Sequence, residues 1–365
     1  MTHVVIGAGI VGASAAYHLV KKGHDVVLID NNLEGRATTA GAGIICPWVS
    51  SIDDQAWYTL ARGGALYYPN LISELEKDGE TNTGYGLTGA LAVSEDDKEI
   101  DEIYQHVQKK KKDTEFIGEV KKLDHDQAKE LFPPLNKKLK ALYVEGGARV
   151  DGKLLTQALV NSFVNNGGRL VENTAQLERK DDQVLVKIGK ETIEANEVIV
   201  AAGAWSNDLL DPLDLKINLE AQRGQIVHLK VDEDTSKWPA VLPQSSHYMV
   251  AFNDSRIAFG ATREDGSGFD YRMTAGGVQE VLNEGLSVAP GLEDATLGEV
   301  RIGFRPKSPD FKPYFGKVET YDNLTIATGL GATGLTIGPY LGKLAAQLVS
   351  GEELKIELSN YNPFR

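Results

Sequence analysis

The sequence predicts an α/β protein in which a dinucleotide-binding domain, assembled from three separated pieces, carries a mostly antiparallel second domain inserted between them. Three observations support this prediction. The chain opens on a strand, a glycine-rich turn, a helix and a second strand, and it closes on a similar unit. Between them, several segments alternate apolar and polar residues as antiparallel strands do. At 365 residues, the chain is long enough for two domains.

The opening unit has the features of a dinucleotide site. Its turn reads Gly7-Ala8-Gly9-Ile10-Val11-Gly12, and its second strand ends in Asp30. Gly7 permits the tight turn, Gly9 lets a pyrophosphate approach the backbone, and Gly12 lets helix and strand pack closely. The helix start offers N–H groups to phosphate, and Asp30 can accept the ribose hydroxyls. A glycine-rich turn of another α/β protein is the alternative, and it leaves Asp30 unexplained.

The closing unit bears on which dinucleotide is bound. A strand at 323–327 runs into a glycine-rich turn at 329–334, and a helix follows. If this helix start points at the same ligand, N–H groups of Gly331, Thr333 and Gly334 would stabilise the negative charge of a reduced flavin. An ordinary turn between strand and helix is the alternative at this stage.

The rest of the chain is read from periodicity and from turn residues. We expect helices at 53–78, 152–166 (capped by Asp151) and 274–287, a charged helical region at 95–131, and strands at 85–94, 142–144, 169–177, 183–188, 191–194, 198–202, 224–231, 247–252 and 256–261. The predicted cofactor domain comprises residues 1–84, 143–216 and 297–365, and the predicted substrate domain comprises 85–142 and 217–296.

Composition limits the function classes. A net charge of −14 argues against nucleic acid as a partner, and we expect the Lys109–Lys112 run to be a solvated helix end. The single cysteine, Cys46, excludes an internal disulfide framework, and the seven histidines show no metal-ligand spacing, so no metal is expected. No apolar run reaches the length of a membrane span. The first strand begins near Met1, which leaves no room for a cleavable signal, so we expect a cytoplasmic protein.

The ordered set of motifs resembles the D-amino-acid oxidase family of flavoproteins, especially its glycine oxidase, sarcosine oxidase and D-amino-acid dehydrogenase members. The motifs that carry the resemblance are residues 5–12, 35–43 and 198–205, Arg223-Gly224-Gln225, Gly260-Ala261-Thr262, Gly303-Phe304-Arg305-Pro306 and the loop 328–338. The resemblance implies a Rossmann-type FAD-binding domain with an inserted substrate domain built on a large antiparallel sheet. It also implies that FAD is the cofactor.

The resemblance further implies which residues lie near FAD. The expected set is Gly7, Gly9, Ile10, Val11 and Gly12 at the pyrophosphate turn, Asp30 and Asn31 at the ribose, Arg36, Ala37, Thr38, Ala42, Gly43 and Ile44 along the flavin or its phosphates, Gln176 at the adenine, Gly203 near the ribose side, and Leu330, Gly331, Ala332, Thr333, Gly334, Leu335 and Thr336 around the pyrimidine edge.

On the substrate side, family members oxidise a small amino acid or N-substituted amine by hydride transfer to the flavin. Arg305 matches the arginine that clamps the substrate carboxylate, with a surface or ion-paired arginine as the alternative. Tyr248 matches a tyrosine that donates to the same carboxylate, with a core tyrosine as the alternative, and Arg263 is expected to be a second cation above the flavin. Ser246 and His247 neighbour Tyr248, but strand alternation places His247 on the opposite face. Oxygen or another electron acceptor would complete the reaction.

Two positions depart from family patterns. Glycine-oxidase-like members carry a second arginine in the C-terminal flavin loop, where this chain has Ala332. Cys46 does not match the cysteine that binds flavin covalently in sarcosine oxidases, so noncovalent FAD is expected. Three alternatives stay open at this stage: an FAD-dependent 2-hydroxy-acid dehydrogenase, a non-catalytic FAD-binding protein, and an NAD-binding regulator.

Overall fold

The computed structural model describes residues 2–245 and 247–365, so Ser246 lies outside the described residues. The helices are α1 (Ile10–Lys21), α2 (Ala37–Ala40), α3 (Gln55–Lys77), α4 (Asp97–Lys111), α5 (His125–Leu131), α6 (Gly152–Asn165), α7 (Ser206–Leu210), α8 (Ala275–Val288) and α9 (Gly334–Val349). Short 3₁₀ segments lie between them.

Within the described residues, the strands divide among four sheets. The first ten are β1 (Thr2–Ile6), β2 (Asp25–Asp30), β3 (Ile44–Ile45), β4 (Ala90–Ser94), β5 (Val120–Leu123), β6 (Lys140–Val144), β7 (Ala148–Arg149), β8 (Arg169–Glu172), β9 (Ala175–Lys180) and β10 (Gln183–Ile188). The others are β11 (Glu191–Ile193), β12 (Glu197–Val200), β13 (Glu220–Lys230), β14 (Ala240–Pro243), β15 (Tyr248–Ala251), β16 (Arg256–Gly260), β17 (Thr296–Lys307), β18 (Tyr314–Lys317) and β19 (Leu324–Thr328).

A six-stranded sheet with the order β18-β19-β12-β1-β2-β8 forms the first half of the molecule. Its strands run parallel except β18, which pairs antiparallel with β19. Successive residues of β1 alternate between two hydrophobic cores: Val5 packs with the helices, whereas Val4 and Ile6 pack toward the β9–β11 sheet. Burial on both faces explains why these strands read as continuous apolar runs in the sequence.

An eight-stranded sheet with the order β17-β13-β16-β15-β14-β4-β6-β5 forms the second half. Its pairs are antiparallel except β14 with β4. Val227 and Phe259 on one face join a core with Val281 of α8, and Ile226 and Val250 on the other face belong to a smaller core. The predicted combination of a Rossmann-type domain and a large antiparallel sheet is therefore confirmed.

One local prediction differs from the structure, and one long strand was not predicted. The predicted helical region 95–131 consists of α4 and α5 with β5 between them, since residues 120–123 pair with β6. The 12-residue strand β17 has no clear alternation in its exposed first half, and pairing with β13 fixes it as a strand. That pairing places residues 296–307 in the eight-stranded sheet, and the domain boundaries at 216/217 and 296/297 stay a prediction.

Within residues 2–245 and 247–365, no helix combines the length and the apolar character that crossing a membrane requires. The same part of the chain contains no cluster of three or more His, Cys, Asp or Glu side chains arranged to hold a metal ion.

Candidate active site

The parallel strands end at one large cavity of about 1390 Å³. Residues that directly follow β1, β2, β8, β12 and β19, or follow one residue later, line it: Gly7, Asn31, Asn173, Ala201 and Leu330. Ligands of doubly wound sheets bind at this carboxyl edge, because helix N-termini and loops converge there. The volume exceeds the several hundred Å³ typical of a site for one small ligand, so it has room for a dinucleotide and a small substrate.

The three glycines of the opening turn have different surroundings. Gly7 has a φ of +102°, and a Cβ there would lie 2.6 Å from the Ala201 carbonyl oxygen. Gly12 does not line the cavity, and its Cβ would lie 1.8 Å from the Gly7 carbonyl oxygen. Gly9 lines the cavity, and a Cβ there would meet only the Thr38 hydroxyl at 3.5 Å. The protein therefore requires glycine at 7 and 12, while the space beside Gly9 is left open toward the cavity.

Asp30 is fixed at the end of β2 by the backbone around it. Its Oδ2 accepts a hydrogen bond from the Ala8 N–H at 2.6 Å, and its Oδ1 accepts one from the Asn32 N–H at 2.7 Å. The Arg36 guanidinium lies 3.6 Å from Oδ1. This half-buried carboxylate lines the cavity beside the opening turn, as its predicted role requires.

The helices α1 and α9 both begin at the cavity. Within the described residues, neither α1 nor α9 has a side-chain cap at its N-terminus. The Ile10 N–H donates to the Thr38 hydroxyl at 3.1 Å, and the Thr333 hydroxyl donates back to the Leu330 carbonyl at 2.9 Å. Both N-termini therefore direct the positive end of a helix dipole toward the cavity, which favours phosphates and other negative charge.

The structure brings the predicted cofactor residues together. Apart from Gly12, all of them line the same cavity: Gly7, Gly9, Ile10, Val11, Asp30, Asn31, Arg36, Ala37, Thr38, Ala42, Gly43, Ile44, Gln176, Gly203, Leu330, Gly331, Ala332, Thr333, Gly334, Leu335 and Thr336. The glycine-rich turns at the two ends of the chain therefore face one site. Open space at Gly9 and Gly334, where no protein atom lies within 3.4 Å of a Cβ, fits a closely bound dinucleotide.

Arg305 lies on β17 with its guanidinium directed across the neighbouring strand β13. A Cβ on Gly224 would lie 2.7 Å from two of its nitrogens, so a side chain at this position would displace the guanidinium. Its Nη1 donates to the Thr262 carbonyl at 2.9 Å, and no carboxylate of the described residues forms an ion pair with it. Burial and the nearby Arg263 cation lower the pKa of Arg305 to about 10, which leaves it charged at neutral pH.

The other two predicted substrate residues also line the cavity. Tyr248 is half-buried at the start of β15, and Arg263 is exposed in the loop that follows β16. Arg263, like Arg305, makes no ion pair within the part of the chain that the structure describes. His247 is buried, lies 3.3 Å from a carboxylate oxygen of Glu280 and does not line the cavity, in agreement with the predicted alternation.

The segment 46–54 was not predicted from the sequence to be part of the site, although most of it lines the cavity. It lies between β3 and α3, and no motif marks it. Lys110 of α4 donates to the carbonyls of Pro47 and Ser50, both at 3.1 Å, and burial lowers the pKa of Lys110 to about 8. The prediction that the whole 109–112 run is solvated was therefore wrong for Lys110. Residues 242–245, 310 and 311 were missed for the same reason.

Cys46 is a buried, free thiol that also lines the cavity. Burial raises the pKa of the Cys46 thiol to about 12, so it is protonated at neutral pH. A protonated thiol is a poor nucleophile, since the thiolate is the reactive form.

Comparisons with known proteins agree with this geometry. The chain is 47% identical to the crystallised iminodiacetate oxidase (IdaA) from Chelativorans sp. BNC1, with a TM-score of 0.97 and 99% of each chain covered. It is 26% identical to the glycine oxidase structure from Geobacillus kaustophilus, with a TM-score of 0.90 over 100% of this chain and 98% of that one. It is 43% identical to the uncharacterised oxidoreductase YurR of Bacillus subtilis (strain 168), over 99% of this chain and 98% of YurR.

A family model described as FAD dependent oxidoreductase (DAO) matches residues 2–348, which is nearly the whole chain. This match confirms the family that the motifs predicted, and with it FAD as the cofactor. The chain therefore belongs to the DAO family of FAD-dependent oxidoreductases.

Proposed function

We propose that the protein oxidises a C–N bond of a small secondary amino acid that carries two carboxylates, of the iminodiacetate type. One observation carries this proposal: Arg305 and Arg263 line the same cavity as the two glycine-rich turns, and neither forms an ion pair with a carboxylate within the described residues. Two unpaired guanidinium groups close to one another favour a ligand with two negative charges. The 47% identity to an iminodiacetate oxidase supports the same substrate class.

Each cationic side chain has a distinct role in this proposal. Arg305 is held in place by Thr262 and Gly224, so its planar fork is ready to bind the carboxylate next to the reacting carbon. Arg263 is exposed on a loop and binds the second carboxylate, at the other end of the substrate. Tyr248 donates its hydroxyl to the first carboxylate. The residues thereby fix the position and orientation of the reacting C–H bond.

The residue at position 332, in the closing turn, supports a substrate different from glycine. Ala332 lines the cavity where glycine-oxidase-like relatives are expected to carry an arginine, and alanine supplies no charge there. The positive charge at this site comes from β17 and from the loop after β16 instead. A sarcosine-type or D-amino-acid substrate would use Arg305 but would leave Arg263 without a carboxylate partner.

Bound FAD supplies the acceptor for the hydride that leaves the substrate carbon. Ala42, Ile44 and Ala261 line the cavity and pack against the small apolar core of the eight-stranded sheet, so they exclude water from this side. The neutral amine needs no strong protein base, because loss of hydride gives an iminium that releases a proton. Water then hydrolyses the imine to a primary amine and an oxo acid, and oxygen or another acceptor takes the electrons.

We also propose that FAD is bound noncovalently. The one cysteine, Cys46, is kept as a thiol by burial, which supports this view. Denaturation followed by filtration tests it, since a noncovalent flavin passes through the membrane and leaves the chain colourless. Yellow colour that stays with the denatured chain would contradict the proposal.

Arg305→Ala tests the proposed function. Removing a charge-assisted carboxylate contact should cost about 1.5–3 kcal/mol of transition-state stabilisation. The value of kcat/KM should therefore fall roughly 10- to 150-fold. Anaerobic flavin reduction measures it, with iminodiacetate, sarcosine, glycine, D-alanine, L-alanine and glycolate as substrates. Arg169→Ala is the matched control, because Arg169 is an exposed arginine of β8 that pairs with Glu191 away from the cavity.

The wild-type protein should be reduced fastest by iminodiacetate. Reduction by glycolate alone would favour a 2-hydroxy-acid dehydrogenase, and no reduction by any amine would contradict an amine oxidoreductase. Unchanged kinetics of Arg305→Ala with every amino acid would refute the role of Arg305.

A further inference from the structure

Arg263 belongs to a loop, residues 261–273, that leaves β16 and returns to the chain at Thr274, the N-cap of α8. We call it the arginine loop. Its side chains alternate: Thr262 is buried and Glu264 points inward to β13, whereas Arg263 and Asp265 line the cavity. The direction of Arg263 therefore depends on how firmly its two neighbours are held.

The backbone of the arginine loop extends the pairing of β13. The Arg223 N–H donates to the Glu264 carbonyl at 3.1 Å, and the Glu264 N–H donates back to the Arg223 carbonyl at 3.0 Å. The Thr262 N–H donates to the Gln225 carbonyl at 3.2 Å. These bonds give residues 262–264 the regular alternation of a strand, which places consecutive side chains on opposite faces.

Buried side chains reinforce this pairing. Arg223 donates to one carboxylate oxygen of Glu264 through Nε at 2.9 Å and Nη2 at 2.6 Å. The Gln225 amide and the Thr262 hydroxyl donate to the other oxygen at 2.8 and 2.7 Å. Arg223 is 7% exposed and Gln225 is fully buried. Charge-assisted bonds of this kind, shielded from solvent, hold a loop more firmly than surface ion pairs do.

The same two residues of β13 also hold the far end of the loop. Arg223 forms a second ion pair with Asp270 at 2.9 Å. The Gln225 side chain accepts from the Thr274 N–H at 3.0 Å and donates to its hydroxyl at 2.8 Å. Both ends of the loop that carries Arg263 are thus fixed to one short stretch of one strand.

Arg305 depends on the same stretch. Gly224, between Arg223 and Gln225, leaves the space that the Arg305 guanidinium occupies, and Thr262 of the arginine loop accepts its hydrogen bond. The triplet Arg223-Gly224-Gln225 therefore contacts both cationic groups of the cavity: its outer side chains hold the loop of Arg263, and its glycine makes room for Arg305.

We infer that Arg223, with Gln225 and Glu264, is a positioning residue that sets the separation of the Arg263 and Arg305 guanidinium groups and so makes the site selective for ligands with two carboxylates. This inference rests on the proposed function. Arg223 does not line the cavity, so it acts through the loop and not by touching the substrate.

The test compares two unreactive ligands that differ by one carboxylate. Diglycolate has an ether oxygen where iminodiacetate has its amine, and methoxyacetate is the corresponding monocarboxylate. Their dissociation constants are measured from the shift that they cause in the absorbance of the bound flavin. In Arg223→Lys, the affinity for diglycolate should fall about tenfold, as expected for one weakened charge-assisted contact, while that for methoxyacetate should change less than about threefold.

Arg272→Ala is the matched control, because Arg272 pairs with the same Asp270 but its side chain is 82% exposed. It should bind both ligands as the wild type does. If Arg223→Lys does not fold with FAD, Glu264→Gln is used instead, since it keeps the shape of the side chain that pairs with Arg223 and removes its charge. The affinity for diglycolate should again fall more than the affinity for methoxyacetate.

The outcomes separate this inference from the proposed function. Wild-type protein that binds diglycolate no better than methoxyacetate would overturn the proposed two-carboxylate substrate. A wild type that prefers diglycolate, with variants that keep this preference unchanged or weaken both ligands equally, would overturn only the role of Arg223.

Discussion

The glycine-rich turn at residues 7–12 and the one at residues 329–334 face the same cavity, and individual glycines within them are required for different reasons. In the first turn, the protein itself excludes a side chain at Gly12, where a Cβ would lie 1.8 Å from the Gly7 carbonyl oxygen. In the second turn, a Cβ on Gly334 would meet nothing closer than 3.9 Å. Gly9 resembles Gly334 in this respect, with its nearest atom at 3.5 Å.

This difference separates glycines that the fold needs from glycines that a ligand needs. Where a Cβ would collide with backbone, glycine stabilises the apoprotein as much as the FAD-bound protein. Where a Cβ would only enter the cavity, glycine matters when FAD is bound. Substitution of each kind by alanine should therefore affect different measurements, which allows the distinction to be tested.

The largest effect is expected for Gly12→Ala. Its methyl group collides with backbone between β1 and α1, so the apoprotein should lose about 3 kcal/mol of unfolding free energy, and FAD binding should be lost with it. Urea unfolding of the apoprotein measures the change. Gly276→Ala is the control, because Gly276 is also a helical glycine but has no atom within 4 Å of its Cβ position. Equal stability of the two variants would contradict the prediction.

Gly9→Ala should separate stability from cofactor binding. The φ of −70° at Gly9 suits alanine, and the added Cβ would lie no closer than 3.5 Å to any protein atom. The unfolding free energy of the apoprotein should therefore stay within about 0.5 kcal/mol of the wild-type value. The added methyl group occupies cavity space beside the predicted pyrophosphate position, so the Kd for FAD should rise about tenfold or more, equivalent to 1.4 kcal/mol. Fluorescence titration of apoprotein with FAD measures it. Wild-type affinity would show that FAD does not approach Gly9 closely.

The smallest effect is expected for Gly334→Ala. This substitution should raise the stability of the apoprotein and lower its affinity for FAD. Alanine favours the first turn of α9, so the apoprotein should gain up to about 1 kcal/mol. FAD affinity should fall severalfold, since the methyl group points into open space at the cavity. Paired urea unfolding and FAD titration would detect the opposite changes. A variant that is less stable as apoprotein would show that the protein, and not the ligand, requires glycine at this position.

Features that depend on residues close together in the sequence could be predicted, whereas features that depend on residues far apart in the sequence could not. The opening turn, the cap Asp151 of α6 and the acid Asp30 could be predicted because each belongs to one short unit of consecutive elements, β1-α1-β2 for the turn and Asp30 and the start of α6 for Asp151. The strand β17 and the half-buried Lys110 were not recognised, because pairing with β13 and contacts to Pro47 and Ser50 come from segments far away in the chain. Arg223 was noted only as part of a motif, since its partner Glu264 lies 41 residues away.

The sequence by itself determined the family, the cofactor and the two glycine-rich turns, because dinucleotide binding relies on backbone geometry that short motifs specify. Only the tertiary structure decided that the turns share one cavity and that Arg263 and Arg305 face it together. It also assigned the segment 46–54 to the cavity wall. Such juxtapositions arise from long-range strand pairing and loop anchoring, in which residues distant in sequence fix one another's positions.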